Sequence, residues 1–385
     1  MWDTIWILIL PSNTAQVLTS LAEIRNEGKI LSESNRDAAL RLFHEALELF
    51  QRCLNVQEIE FAQAQESSAQ VADRASEADE LDTREVSGNA SDASEGEIWA
   101  SVEEPITKDT LLDTAVAQLD TLTAICRLNS ITNENDLALI DEYYRNTLQR
   151  KIITFTDSST HHHEAALAKA NFVSAISDAA FRSGRLDITT YERELKAAFN
   201  HQDLDLTTDP QGLCDRADAY LAFSTSIQLF LHQAQADDIA PLAAMCWKHI
   251  TRALDSFTAA SKIPDAQNLP RIHLRRGDCE LLRLRLGEEP LKYDLAMRSA
   301  PTLVKNGEVY FRGAAKLAKS EGAAEEQAEA EIKEAAAAAL GGDMEKMSAL
   351  VELQRQLVEA GLEEMRDEGL LGEQGMRKIE NFDLA

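Results

Sequence analysis

Glycine and proline are scarce in this chain of 385 residues, which holds only 16 and 8 of them. Both residues interrupt helices, whereas Ala, Leu and Glu, which favour helices, are abundant. No run of alternating β-branched and polar residues is flanked by turn signals, as a strand would be. The sequence therefore predicts an all-α protein.

Cysteines are also few, and no two of the five form a Cys-x-x-Cys pair. This spacing argues against a zinc site, a redox motif and a disulfide framework. We expect the five residues to be small buried hydrophobic side chains in a reducing compartment, the cytoplasm or the nucleus. They are Cys53, Cys126, Cys214, Cys246 and Cys279.

The chain has no apolar run long enough to span a membrane, which takes roughly 20 residues. The apolar start, MWDTIWILILP, reaches Pro11 after about nine such residues, and Asp3 is its only charge, so it also lacks the basic region of a signal peptide. We expect an edge helix or strand that packs on the first hairpin. A misassigned start site and a short membrane-touching segment are alternatives.

Basic residues are outnumbered, with 38 Lys and Arg against 66 Asp and Glu and a formal net charge of −28. Residues 66–104 contain 12 acids and 2 bases, and residues 321–385 contain 17 acids and 6 bases. Contact with phosphate groups requires a basic surface, so we expect neither direct binding to nucleic acids nor binding to anionic membranes. We expect a protein partner, in particular a basic chain.

Four segments follow from the composition and the apolar periodicity. Residues 12–65 predict a first helical hairpin, and residues 66–104 an acidic disordered insertion with a possible helical start. Residues 105–320 predict a series of paired helices with short connections, and residues 321–385 acidic Ala/Glu-rich helices and a frayed tail. Five successive antiparallel hairpins suggest an α-α solenoid.

A trio of a small residue, an aromatic residue four positions on and an alanine three further on occurs three times. Two antiparallel helices approach closely where one presents small side chains, and the aromatic ring fills the space beside them. We expect all three trios to pack between helices. They are Ala39, Phe43, Ala46; Ala253, Phe257, Ala260; and Gly307, Phe311, Ala314.

This pattern resembles the second helix of a tetratricopeptide repeat. The first helix of that family carries a small residue at a fixed position, matched here by Ser177, Ser224 and Gly277. The resemblance covers residues 12–320 apart from the insertion, and it departs repeatedly from the 34-residue period. It implies stacked hairpins in a superhelix, and a generic helical superhelix without repeat ancestry is the alternative.

The resemblance also implies a protein-binding groove lined by the first helix of each hairpin, at offsets of −6, −3, +1 and +5 from the small residue. The corresponding positions are Asn171, Ser174, Asp178, Arg182; Asp218, Leu221, Thr225; and Arg271, Leu274, Asp278. Their chemistry is mixed and does not form a uniform acidic wall.

The C-terminal part repeats apolar residues every three to five positions, at Met347, Leu350, Leu353, Leu357 and Leu362. Such a stripe is typical of a helix that caps the open end of a solenoid. A coiled-coil partner helix is the alternative. The preceding Ala/Glu-rich helix is expected to stop at Gly341 and Gly342.

Sequence motifs that would indicate catalysis or the binding of a metal or cofactor are weak. His161, His162 and His163 are consecutive at a helix start, so they point in different directions and do not form a metal site by themselves. The Arg-Gly-Asp tripeptide at 276–278 lies within an amphipathic helix, where Gly277 has the features of a packing position. No phosphate loop, nucleophile signature or dinucleotide fingerprint occurs. We predict no enzyme, no catalytic residue, no cofactor and no metal.

The strongest functional hypothesis is therefore a protein-binding helical-repeat chaperone that escorts a basic client, such as a ribosomal protein during ribosome biogenesis. In outline the chain is loosely similar to acidic fungal assembly chaperones of ribosomal proteins that contain such repeats. One alternative is a scaffold subunit of a multiprotein complex. The other is a Hsp70/Hsp90-type cochaperone, whose clamp for a carboxylate requires a fuller set of Lys and Asn or Arg than these helices carry. The oligomeric state does not follow from the sequence.

Overall fold

Every regular element in the described part of the chain is a helix, so the all-α prediction is confirmed for those residues. The computed structural model describes residues 12–23, 33–78, 106–128, 134–157, 159–230 and 236–380. No helix among them is long and apolar enough to cross a membrane. The apolar segment 1–11 and most of the acidic insertion lie outside the described residues.

Short connections join most of the helices. The helices are α1 (12–23), α2 (Glu33–Ala78), α3 (Lys108–Leu128), α4 (Glu134–Tyr143), a π-helix (Tyr144–Leu148), α5 (Gln149–Thr156), α6 (His162–Arg182), α7 (Ile188–Phe199), α8 (Pro210–Phe230), α9 (Ala236–Ala260), α10 (Leu269–Arg285), α11 (Asp294–Glu321), α12 (Ala324–Gly341), α13 (Glu345–Asp367) and α14 (Glu373–Glu380). Residues 79–107 separate α2 from α3.

The chain divides into two compact units. The described residues within Met1–Leu128 and Ala138–Ala168 form the first, and those within Asn129–Leu137 and Lys169–Ala385 form the second. The predicted C-terminal segment, from residue 321 onward, therefore belongs to the same compact unit as the hairpins that precede it.

In the first unit, α2 packs on α3, and α3 packs on α5. One face of α2 carries Phe43 and Phe50, spaced seven residues apart, and both rings are buried. Ala15 of α1 joins Ala46 and Phe50 in a small apolar cluster. Helix α2 also continues past the predicted boundary at residue 65, so residues 66–78 of the acidic insertion are helical.

In the second unit, helices that are neighbours in the chain pack together from α8 to α13, and α10 also contacts α12. Local signals explain where the helices begin and end. The Asp187 carboxylate accepts hydrogen bonds from the backbone N–H groups of Thr189 and Thr190, which begins α7 as an N-cap. Gly322 and Gly342 adopt φ angles of 75° and 97°, which end α11 and α12 in the left-handed conformation that favours glycine. The predicted stop at Gly341 and Gly342 is confirmed.

The C-terminal helices are packed into the core of the second unit. Leu370, Leu371 and Ile379 are buried with the alanines of α12, so the prediction of a frayed end is wrong for these residues. The predicted apolar stripe of α13 is divided. Met347 and Leu362 are buried, Leu350 is half-buried, and Leu353 and Leu357 are 73% and 44% exposed. A break in helical geometry at Gln354 separates the two halves of the helix.

Candidate protein-binding surface

All three aromatic trios are buried, as their spacing predicts. The rings of Phe43, Phe257 and Phe311 are at most 1% exposed, and so are the alanines of their trios. Gly307 is buried as well. The small positions Ser177, Ser224 and Gly277, on α6, α8 and α10, are buried too.

Gly277 shows why the small position must be small. A Cβ atom placed on it would collide with the ring of Phe311, which belongs to the following helix, α11. The glycine of the Arg-Gly-Asp tripeptide therefore serves close packing of α10 against α11. The tripeptide lies inside α10, and its aspartate is buried.

Polar contacts connect helices that are two apart in the chain. Between α6 and α8, the Nδ2 atom of Asn171 donates to Oδ2 of Asp215 at 2.7 Å. Between α8 and α10, an Nη atom of Arg275 donates to Oδ1 of Asp218 at 2.6 Å. Between α10 and α12, an Nη atom of Arg271 donates to Glu329 at 3.1 Å. These contacts link α6, α8, α10 and α12 in series.

Asp178 accepts hydrogen bonds from three helices. Its Oδ2 atom accepts a hydrogen bond from Nε of Arg182, one turn along α6, at 2.8 Å. Its Oδ1 atom accepts hydrogen bonds from the Tyr191 hydroxyl of α7 at 2.9 Å and from the Ser226 hydroxyl of α8 at 2.5 Å. Asp178 and Arg182 therefore hold α6, α7 and α8 together, although they occupy predicted groove positions.

Lys333 of α12 is buried among carboxylates of three helices. Its Nζ atom lies 3.0 Å from Asp278 of α10, 2.8 Å from Glu329 of α12 and 3.2 Å from Glu368 at the end of α13. Burial lowers the pKa of the ammonium group, but the three carboxylates outweigh it and hold that pKa above its ordinary value. Lys333 is charged at neutral pH and connects three helices.

The predicted groove residues thus fall into three groups. Ser174, Leu221, Leu274 and Asp278 are buried and have almost no side-chain surface for a partner. Asn171, Asp178 and Arg182 are half-buried and engaged in hydrogen bonds. The exposed members are Asp218, Thr225 and Arg271.

One face of α8 is open to solvent. Asp218, Ala222, Thr225 and Leu229 follow at spacings of four, three and four, and all four are exposed. Such spacing places them on one side of a helix. This α8 face combines a carboxylate, a hydroxyl and an apolar side chain, of which Leu229 is 55% exposed.

A second buried polar cluster was not predicted from the sequence. Nε2 of His249 on α9 lies 2.9 Å from Oε1 of Glu192 on α7. The carboxylate only accepts, so the imidazole donates through Nε2. Nδ1 of His249 is buried without a hydrogen-bond partner. The only signal in the sequence is a histidine at an apolar position of an amphipathic helix.

Burial governs the protonation of this pair. The side chain of His249 is completely buried against Phe223 and Tyr220, and burial lowers the pKa of the imidazole to about 4 despite the hydrogen bond with Glu192. Burial raises the pKa of Glu192, but hydrogen bonds from Lys196, His249 and Lys248 prevail and lower it to about 2. The pair is a neutral imidazole beside a carboxylate at neutral pH.

The cysteines and the consecutive histidines show no catalytic arrangement. The side chains of Cys53, Cys126, Cys246 and Cys279 are buried, and that of Cys214 is half-buried. Burial raises the pKa of Cys53 to about 11 and that of Cys246 to about 12, so both are inert thiols at neutral pH. Within the described ranges, no group of three or more His, Cys, Asp or Glu residues is arranged to hold a metal ion.

His161 pairs with an aspartate of another helix. Its Nδ1 atom lies 2.7 Å from Oδ1 of Asp113, and this hydrogen bond holds the pKa of the imidazole above its ordinary value. Ser159 donates to Asp109, not to the imidazole, so the neighbouring Ser, His and Asp do not form a nucleophilic triad. The pair connects the start of α6 to α3.

Comparison of the chain with protein-family models, with curated proteins and with solved structures gave no significant match.

Proposed function

We propose that the protein is a non-enzymatic helical-repeat chaperone that binds and escorts a basic protein client, such as a ribosomal protein. In this proposal the hairpins stack as a tetratricopeptide-like solenoid with the C-terminal helices as its cap. The exposed positions of the first helices select the client, and the acidic segments attract it.

The observation that carries the proposal is the excess of acidic residues and their concentration in two segments of the chain. Most of the net charge of −28 belongs to residues 66–104 and 321–385. In the described part of these segments, Glu66, Glu352, Glu359 and Glu363 are exposed. Exposed like charges repel one another and do not stabilise a fold, but they attract and concentrate a chain rich in Lys and Arg.

The α8 face supports a selective contact in addition to this attraction. Its four exposed residues carry a charge, a hydroxyl group and apolar surface, which is the mixture typical of protein interfaces. Because Asp178, Asp218 and Asp278 hold helices together, they are unsuited to test client selection. The exposed Thr225 and Leu229 are the appropriate positions.

The test measures the binding of a labelled Lys/Arg-rich peptide by fluorescence anisotropy, with a Glu-rich peptide of the same length for comparison. We expect the protein to bind the basic peptide alone. Binding should weaken steeply between 50 mM and 500 mM salt, because exposed charges are screened beyond about 8 Å at physiological ionic strength. Changing the acids of 79–104 to Asn and Gln should slow association and flatten the salt dependence.

Selection by the α8 face is tested with Thr225→Lys combined with Leu229→Lys. We expect this variant to lose preference among basic proteins, whereas Asp265→Lys, a charge reversal at an exposed turn position, retains it. A scaffold subunit would behave differently. It would retain neutral or acidic partners from cell extract equally well at high salt, and that result would contradict the escort proposal.

A further inference from the structure

Two half-buried arginines, Arg216 and Arg252, cross between α8 and α9 in the second unit. Arg216 extends from α8 towards α9, where its Nε atom donates to the Ser256 hydroxyl at 3.1 Å. Arg252 extends from α9 towards α8, where its Cζ atom lies 5.9 Å from the centre of the Tyr220 ring. Each arginine is four residues from the residue that the other one contacts, so the two side chains lie on adjacent turns of one helix interface. We call Arg216 and Arg252 the arginine pair.

The arginine pair lacks the carboxylate partners that other half-buried arginines of the second unit have. Arg182, Arg275 and Arg283 are also half-buried, and each has a nitrogen within 3.0 Å of a carboxylate oxygen. Among the described residues, no carboxylate oxygen lies within 4.0 Å of a side-chain nitrogen of the arginine pair. The Nη1 atom of Arg252 is also buried without a hydrogen-bond acceptor. A buried donor of a charged group is costly to leave without an acceptor, so the described residues do not satisfy this guanidinium group.

The nearest charged neighbours of the pair add further positive charge. Lys196 of α7 and Lys248 of α9 both pair with one carboxylate, that of Glu192, so one of their two positive charges is not offset there. The pKa of His249 is lowered mainly by burial, and the positive charges of Arg252 and Lys248 lower it further, which shows that Arg252 lies near this group. The region between α7, α8 and α9 is therefore locally positive, although the chain as a whole carries a net charge of −28.

We propose that the arginine pair binds a single phosphate group, either inorganic phosphate or a phosphorylated side chain. Two guanidinium groups from facing helices offer two planar sets of donors, which suit the several oxygens of a doubly charged tetrahedral anion. One guanidinium group is enough for a carboxylate, so we expect carboxylates to bind more weakly. The net charge of −28 repels an extended polyanion such as a nucleic acid, whereas screening beyond about 8 Å leaves a single phosphate group to respond to the local charge. The proposal goes beyond the proposed function, because it requires no basic client.

The experiment titrates the full chain with inorganic phosphate at constant ionic strength and measures the heat of binding. We expect Arg216→Gln and Arg252→Gln each to weaken binding by about tenfold or more, because each removes a charged donor from the anion. Arg252→Lys retains the charge but loses the planar set of donors, so its affinity should lie between those of the wild type and Arg252→Gln.

The matched control is Arg276→Gln. Arg276 is also half-buried and pairs with no described carboxylate, but it belongs to α10 and lies 4.2 Å over the ring of Tyr310 on α11. Its replacement should leave phosphate binding unchanged. Thermal unfolding separates lost binding from lost folding. Phosphate should raise the melting temperature of the wild type and of Arg276→Gln, but not that of Arg216→Gln or Arg252→Gln.

A phosphoserine peptide and the same peptide with glutamate in place of phosphoserine identify the source of the phosphate group. Tighter binding of the phosphoserine peptide than of inorganic phosphate would support a phosphorylated side chain, and the reverse order would support free phosphate. Equal binding of the glutamate and phosphoserine peptides would overturn the assignment to phosphate. Failure of the wild type to bind either phosphate probe, or full affinity in both glutamine variants of the arginine pair, would overturn the site itself. Neither result would affect the binding of a basic client.

Discussion

The Nζ atom of Lys333 lies 3.0 Å from Oδ1 of Asp278, and neither side chain is more than 3% exposed. The pair joins α12 to α10 in the core of the second unit. Two further carboxylates, of Glu329 and Glu368, lie within 3.2 Å of the same ammonium group. The removal of one partner from such a buried group leaves uncompensated charge, which is far more costly than the loss of an exposed ion pair.

We predict that Lys333→Met lowers the free energy of unfolding by about 3–5 kcal/mol, measured by urea denaturation. Lys346→Met is the matched control, because Lys346 also contacts two carboxylates, those of Glu308 and Glu334, but is 38% exposed. The control should lose less than about 1 kcal/mol. Similar losses in the two variants would show that burial does not decide the strength of these contacts.

Phe257→Ala should cost about 3–5 kcal/mol, because the ring is 1% exposed and its removal leaves a cavity. In the proposed solenoid the loss can appear as partial unfolding of neighbouring hairpins, so circular dichroism and tryptophan fluorescence should be compared. Leu229→Ala on the exposed α8 face should change stability by less than about 0.5 kcal/mol. A cost below about 1 kcal/mol for Phe257→Ala would contradict its role as a core residue.

Gly277→Ala should destabilise the protein by about 1–3 kcal/mol, because the added methyl group collides with the ring of Phe311. Gly313→Ala provides the comparison, since its Cβ atom would meet only Nδ1 of His273 at an ordinary 3.5 Å. Helix propensity alone favours alanine over glycine by up to about 1 kcal/mol, so Gly313→Ala should be neutral or stabilising. Thermal unfolding of the two variants measures the difference.

The sequence predicts packing better than it predicts the surface. The trios are found from local spacing, and all nine residues are buried because a helix brings positions four and three apart to one face. The groove positions were placed by the offsets of the repeat family, and these offsets carry no information on whether a side chain is buried. Asp278 is buried in an ion pair with Lys333, which lies 55 residues further along the chain. Such pairing between distant helices has no local signature.

The C-terminal end shows the same limit. Leu370 and Leu371 follow a helix end and precede glycine-containing sequence, which suggests fraying. They are buried because α12 presents a run of alanines, whose small side chains allow other elements to approach closely. The Ala-rich composition of α12 is visible in the sequence, but the elements that cover it are not.

Stability should depend on pH through His249. The pKa of its imidazole is about 4 in the folded protein and about 6.5 when unfolded, so below pH 6.5 the unfolded state binds the proton more readily. The free energy of unfolding should therefore fall as pH decreases from 6.5 to 4.5, by roughly 2 kcal/mol from this group. His249→Gln should remove that part of the slope, and the same change at exposed His162 should not. Equal slopes in both variants would contradict a neutral buried imidazole.

Helix α2 extends well beyond the residues through which it packs. The last buried residue of α2 is Gln57, and from Ala62 to Gln70 every side chain is exposed. At 1.5 Å per residue, the turns from Ala62 to Ala78 carry whatever follows them about 25 Å along the helix axis, roughly the diameter of a small domain. Ala78 therefore lies well away from the surface on which α2 packs. Deleting Ser67 to Gln70, about one turn that contains no charged residue, would shorten this distance by about 6 Å without changing the net charge.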